Sequence, residues 1–175
     1  MSIFNKNEEP RQGATGNWYT MAIIDGLIPI KPNIKIKARA YLSAVQHNLV
    51  SGDWTKVLLD TENYDIGSNF DPVTNHRLTV PITGFYLLIG QVSFDLVIAN
   101  KKYYAKIYKN GTTAICVGSN QASFVDYLYV LTSDIAYLEA DDFIELWGRQ
   151  DSGVNTVDIY NFSPNTYMAI HLLSV

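Results

Sequence analysis

The sequence predicts an all-β sandwich or barrel. About ten segments of strand length alternate or run apolar, and turn-forming residues separate most of them. No stretch of the 175 residues holds a helical period long enough to count as a convincing helix. Regularly spaced strands without helices point to sheets packed on sheets.

The first 16 residues are polar and carry Pro10, Gly13 and Gly16, which reads as a flexible or extended arm. "WYTMAIIDGLIPIKPN" follows, apolar but broken by Gly26, Pro29 and Pro32, and so too interrupted for a long helix. An extended apolar segment ahead of a domain docks either on that domain or on a partner. The attachment residues would be Trp18, Tyr19, Met21, Ile23, Ile24, Leu27, Ile28 and Ile30. The chain therefore divides into an extended arm, residues 1–36, and a β domain, residues 37–175.

"IKIKARAYL" alternates Ile34, Ile36, Ala38 and Ala40 with Lys35, Lys37 and Arg39. "VQHNLVSGD" reads as a loop, "WTKVLLD" as a short strand and "ENYDIGSNFDPVTNHR" as turns. In "RLTVPITGFYLLIG", Pro81 closes one short strand, and residues 82–84 turn the chain into the next. Gly84 is expected there for a backbone angle that other residues resist. "QVSFDLVI" continues that strand. "YYAKIY" and "TAICVGS" flank Asn110-Gly111, a strong hairpin signal. "FVDYLYVLTSDIAYLEA", "FIELWGRQ", "VDIYNF" and "TYMAIHLLSV" complete the set.

Two of these strands are apolar on both faces. "FVDYLYVL" sets Val125, Tyr127, Tyr129 and Leu131 opposite Phe124, Asp126, Leu128 and Val130. "TYMAIHLLSV" sets Tyr167, Ala169, His171 and Leu173 opposite Met168, Ile170 and Leu172. One face can fill a sandwich core; the other needs a cover, which a subunit interface supplies. Tyr127, Tyr129, Tyr167 and His171 are the interface candidates. Twelve tyrosines fit a surface dry in one part and wet in another.

Hydrophobic residues make up 47% of the chain, and charged residues only 17%, which suggests that other copies cover part of the surface. A net charge of −4 and a pI near 5.2 leave no footprint for nucleic acid or an anionic membrane. No run reaches about 18 apolar residues, the length of a membrane-spanning helix. The N-terminus lacks the apolar core of a signal peptide, so the protein is expected to stay in the cytoplasm or leave it by another route, such as assembly into a virus particle. The single cysteine, Cys116, excludes an internal disulfide and reads as a small buried hydrophobe.

"NYDIGSNFDPVTNHRLTVPITGFYLLIG" resembles the core signature of the complement C-one-q globular head and its tumour necrosis factor-like relatives. Tyr64-Asp65, Gly67, Phe70-Asp71, Thr74-Asn75, Leu78, Pro81, Gly84, Tyr86 and Leu88 stand at the signature positions, with Asn75 for a glycine and Leu78 and Leu88 for aromatics. "YKNGT", "YLEADDFIEL" and "TYMAIHLL" resemble later blocks, so the likeness spans roughly residues 38–175. The resemblance implies a ten-stranded antiparallel jelly roll that forms a homotrimer. The chain carries no collagen-like Gly-X-Y stalk. A stalkless roll behind an N-terminal arm looks more like proteins of tailed-bacteriophage particles: head decorations, head fibres or tail-tip proteins. Partners on that resemblance are the protein itself and capsid or tail proteins. The alternative is a receptor-binding tip that holds host surface glycans.

No enzyme is expected, and no cofactor. His47, His76 and His171 lack metal-ligand spacing. If three copies met on an axis, His171 would form a pH-sensitive ring; otherwise it is a hydrogen-bonded core or interface histidine. Glu139, Asp141 and Asp142 could offer oxygens to calcium or simply form a solvated turn, and Asp60, Glu62 and Asp65 read the same way. No nucleophile elbow, phosphate loop or dinucleotide fingerprint is present. Asn110-Gly111-Thr112 fits a glycosylation acceptor, but the hairpin turn explains it better. Trp147, Arg149 and Asp151, near the end of "FIELWGRQ", could stack on and bind a sugar ring; Trp54 offers a similar surface. Each tryptophan could equally be packed in the sandwich.

Overall fold

A computed structural model describes residues 35–175. The expected arm, with its attachment candidates Trp18, Tyr19, Met21, Ile23, Ile24, Leu27, Ile28 and Ile30, lies outside the described residues but for its last two positions. The described residues form thirteen strands and no helix. The strands are β1 (Lys37–Tyr41), β2 (Gln46–Leu49), β3 (Trp54–Lys56), β4 (Thr61–Ile66), β5 (Phe70–Asp71), β6 (Arg77–Thr79), β7 (Gly84–Asp95), β8 (Lys102–Lys109), β9 (Thr113–Gln121), β10 (Leu128–Leu138), β11 (Phe143–Gln150), β12 (Val157–Ile159) and β13 (Tyr167–Ser174).

All the strands pair antiparallel, in two sheets. The first runs β2-β12-β7-β13-β1-β4, and β10 pairs with the other edge of β7. The second runs β5-β6-β11-β8-β9, with β3 also on β11. Neighbours are mostly distant in sequence, so the chain passes repeatedly from one sheet to the other, as in a jelly roll.

Alternation decides which side chains meet between the sheets. Ala38, Ala40, Tyr86, Leu88, Val92, Phe94, Val130, Met168 and Ile170 point inward from the first sheet. Leu78, Tyr103, Ala105, Ile107, Ile144 and Leu146 meet them from the second; all are at most 2% exposed. The Phe94 and Tyr103 rings lie 5.2 Å apart across the core. Both buried phenols are satisfied: Tyr86 Oη donates to Ile82 O at 2.6 Å, and Tyr103 Oη accepts from Ile98 N at 2.7 Å.

The ten strands legible in the sequence are all present. β2, β4 and β5 are additional, and they place His47 in a strand and break up the segment read as turns. These edge pieces are polar, which hides them from a search for apolar alternation. Their turns are closed by carboxylates. Asp65 accepts from Asn69 N at 2.6 Å and Phe70 N at 2.9 Å. Asp71 accepts from Val73 N at 3.1 Å, Thr74 N at 2.9 Å and Asn75 Nδ2 at 2.7 Å.

Pro81 marks a passage between sheets, since β6 belongs to the second and β7 to the first. The reason for Gly84 differs from the one expected. Its backbone is not left-handed; a Cβ there would lie 2.4 Å from Ser174 O, so closeness to the C-terminal strand demands glycine. At the hairpin, Asn110 and Gly111 both have positive φ, 52° and 70°. Cys116 is half-buried rather than buried. It lies on β9, an edge strand whose pairing shifts between Ile107 and Tyr108. Burial pushes its thiol pKa up against a Thr132 hydrogen bond, which disfavours the reactive thiolate.

β9 of the second sheet passes close to β10 of the first. A Cβ at Gly118 would stand 2.1 Å from Leu131 O. Gly118→Ala must push these backbones apart and should cost roughly 1–3 kcal/mol, read from denaturant unfolding. The Asp71 carboxyl is held down to about pKa 2, first by the Thr74 N–H and then by the Asn75 amide. Its folded pKa is depressed, so the stabilisation is present above the unfolded value near 4 and is lost as pH falls through about 2. Amide exchange at Val73 and Thr74, relative to a matched unfolded peptide, should accelerate across that window. Asp71→Asn should abolish the pH dependence.

Candidate functional site

The outward face of the first sheet is apolar across three strands. Pairing aligns Ile135, Leu87 and His171 in one row, and Ser133, Ile89 and Ala169 in the next. Lys37 and Arg39 of β1 extend these rows. Tyr129, Leu131, Ile135 and Tyr137 of β10, Phe85 of β7 and Leu173 of β13 are 46% to 57% exposed. Phe85 and Tyr137 pack edge to face at 5.3 Å. Inward neighbours on the same strands, Tyr86, Leu88, Val130 and Ile170, are at most 2% exposed. These strands therefore offer one apolar face to the core and another to the outside.

Three of the four interface candidates lie on this face. Tyr129 projects from β10, Tyr167 carries the Arg39 guanidinium 3.9 Å from its ring centroid, and His171 lies between Leu87 and Lys37. Tyr127 precedes β10 and packs its ring 4.5 Å from Tyr160, at the end of the sheet. Sequence reasoning missed the contributions of β7. Phe85, Leu87 and Ile89 belong to a stretch that is apolar throughout, and only the pairing of β7 between β10 and β13 shows which of its residues face out.

The second sheet has a different exterior. Trp54 of β3, Arg149 of β11 and Tyr104 of β8 form one cross-strand row, and Lys56, Trp147 and Lys106 form the next. Trp147 and Arg149 stand on the strand itself, and Asp151 follows directly after it. Trp147 and Arg149 are thus on a sheet face, with Asp151 just beyond its end. Trp147 packs edge to face on Tyr108 at 5.4 Å and donates Nε1–H to Glu145 at 3.1 Å. Arg149 Nε donates to Asp151 at 2.8 Å. Trp54, read in isolation from sequence, joins this surface 6.1 Å from Tyr104. Lys106 and Tyr104 gave no signal, because neither falls near Trp147 in the chain.

Three of the acidic groups, Asp60, Asp65 and Asp142, are hydrogen-bonded within the protein. Asp142 is nearly buried; burial raises its carboxyl pKa, but Lys109 at 2.6 Å, Asn110 at 2.7 Å and Glu139 N at 2.8 Å outweigh this and hold it below the usual value. Asp141 has φ 72° in the same turn. Asp60 accepts from Ser43 N and Oγ at 2.8 and 2.7 Å. Asp60, Glu62 and Asp65 line an open depression with Ser68, Phe70 and Pro72. Among the described residues, no three His, Cys, Asp or Glu side chains gather as a metal site. His47 pairs with Asp158 at 2.8 Å, and His76 Nδ1 lies 2.8 Å from Leu59 O.

The chain matches no protein-family profile and no curated protein by sequence. By structure it is similar to murine APRIL at pH 5.0, with a TM-score of 0.61 and 14% identity over 80% of this chain and 100% of that one. It is similar to Eiger TNF from S. frugiperda, at 0.61 and 12% identity over 80% and 93%. The globular domain of zebrafish complement 1qA gives 0.58 and 11% identity over 80% and 98%. The fold is a tumour necrosis factor- and C-one-q-like jelly roll.

Proposed function

We propose that this protein is a non-enzymatic, homotrimeric structural component of a virus particle, attached to a phage head or tail through its N-terminal arm. The observation that carries self-association is the apolar exterior of the first sheet. Six large side chains there are about half exposed. Fully burying one contributes roughly 1.5–3 kcal/mol, so even partial burial of six can offset the cost of association. The family resemblance supports three copies. The apolar segment from Trp18 to Ile30 supports attachment, because three arms on one trimer hold a symmetric lattice far more tightly than one.

A second reading is a recognition trimer that binds host glycans. The aromatic and cationic exterior of the second sheet favours it.

Ile135→Lys places a charge in the middle of the apolar face and should shift the full chain from trimer to monomer in sedimentation, while far-UV circular dichroism stays β. A native chain that sediments as a monomer would refute the assembly. Deleting residues 1–30 should leave the trimer intact and abolish its attachment to particles. Undiminished attachment would remove the anchoring role.

A further inference from the structure

We infer that the exterior of β3, β11 and β8 is a binding platform for acidic saccharides, those carrying uronic or sialic acid residues. The inference extends the recognition reading and is independent of the virion one. Four half-buried rings, Trp54, Tyr104, Tyr108 and Trp147, line the platform, and Lys106 stands among them. Its Nζ lies 3.7 Å from the Trp54 ring centroid, 4.6 Å from that of Tyr108, and 3.0 Å from Tyr108 Oη.

Charge complementarity selects the ligand. The other cations here have carboxylate partners: Lys56 bonds Glu145 at 2.5 Å, and Arg149 bonds Asp151 at 2.8 Å. The contacts of Lys106 are with rings and a phenol, so its charge has no carboxylate counterpart among them. Cation–π contact holds the ammonium in place without neutralising it. Glu145, Asp151 and Asp53 act on the neighbouring cations Lys56 and Arg149, so the ammonium left for an anion on this aromatic floor is that of Lys106.

A pyranose carries one face of C–H groups, which suits an aromatic ring, and hydroxyls around its rim. A sugar carboxylate would reach Lys106 while the C–H face rests on the rings. Asp151 and Arg149 at the edge would take hydroxyls. A nucleic acid needs several cations along its phosphates, and the platform has one to offer. It lies on the second sheet, opposite the apolar exterior of the first, so self-association through that face leaves it open.

The test is titration of the full-length protein with 3′-sialyllactose and trigalacturonate, against lactose as the neutral probe and polyglutamate as a charge-only probe. At least one acidic saccharide should bind roughly tenfold more tightly than lactose and be displaced poorly by polyglutamate. Lys106→Met keeps the side-chain stem and should lose that preference, Lys106→Arg should restore it, and Trp147→Leu should weaken binding of the sugar. Saturation-transfer NMR on the native protein should place the sugar C–H face against the rings, a readout that does not depend on any variant folding. Absence of binding by both acidic saccharides overturns the proposal, as do equal binding of acidic and neutral probes, equal binding of polyglutamate, or an unchanged Lys106→Met. Sedimentation on the same samples separates this from the assembly: a trimer that binds no saccharide refutes the platform alone, and a monomer that binds one refutes the trimer alone.

Discussion

The structure turns on one constraint: β7 is apolar on both of its faces from Phe85 to Ile89 and hydrogen-bonded on both of its edges. Its inward residues, Tyr86, Leu88, Val92 and Phe94, are fully buried against the second sheet. Its outward residues, Phe85, Leu87 and Ile89, align with Tyr137, Ile135 and Ser133 of β10 on one side. On the other side, β13 sets His171 beside Leu87 and Ala169 beside Ile89. A sheet organised around such a strand has one core inside the sandwich and the makings of another outside it. A one-residue register slip would exchange the two faces, so the dense inner packing also specifies the outer surface.

The corners that make this possible depend on space as much as on backbone angle. The chain leaves the second sheet after β6, passes Pro81, and enters the first at Gly84, where the C-terminal strand comes too close for a side chain. Gly118 allows the edge strands β9 and β10 to touch, and Gly90 lies where a Cβ would meet Leu146 Cδ1 at 2.7 Å. Small residues at these points let the sheets approach without strain. Carboxylates do comparable work in the connections: Asp65, Asp71 and Asp142 each collect several donors and order turns that contribute little apolar surface.

The two exteriors differ chemically, and that difference organises the functional proposal. The first sheet presents uncharged aliphatic and aromatic groups over β10, β7 and the end of β13, a surface suited to another copy of the chain. The second presents aromatic rings interleaved with Lys56, Lys106 and Arg149, a surface that water tolerates and a polar ligand can use. On the proposed reading, such a division gives assembly to one face and contact with the surroundings to the other.

Much of this was legible without coordinates. The alternation of "KARAY", the Asn110-Gly111 hairpin and the breaker pair Pro81 and Gly84 identified the β class, ten of the strands and a corner, because local sterics and burial period act over a few residues. The double-sided apolarity of β10 and β13 was visible for the same reason, and with it Tyr129, Tyr167 and His171. The polar edge strands β2, β4 and β5 were not visible, because cross-strand pairing and carboxylate-closed turns define them more than composition does. Nor could the sequence show that Phe85 and Leu87 face outward, or that Trp54, 93 positions before Trp147, shares a surface with it and with Lys106. By itself the sequence determined the strand class and which segments needed covering on both sides. Only the tertiary structure decided which residues stand together on each face, since strand register and sheet order are set by contacts between segments far apart in the chain.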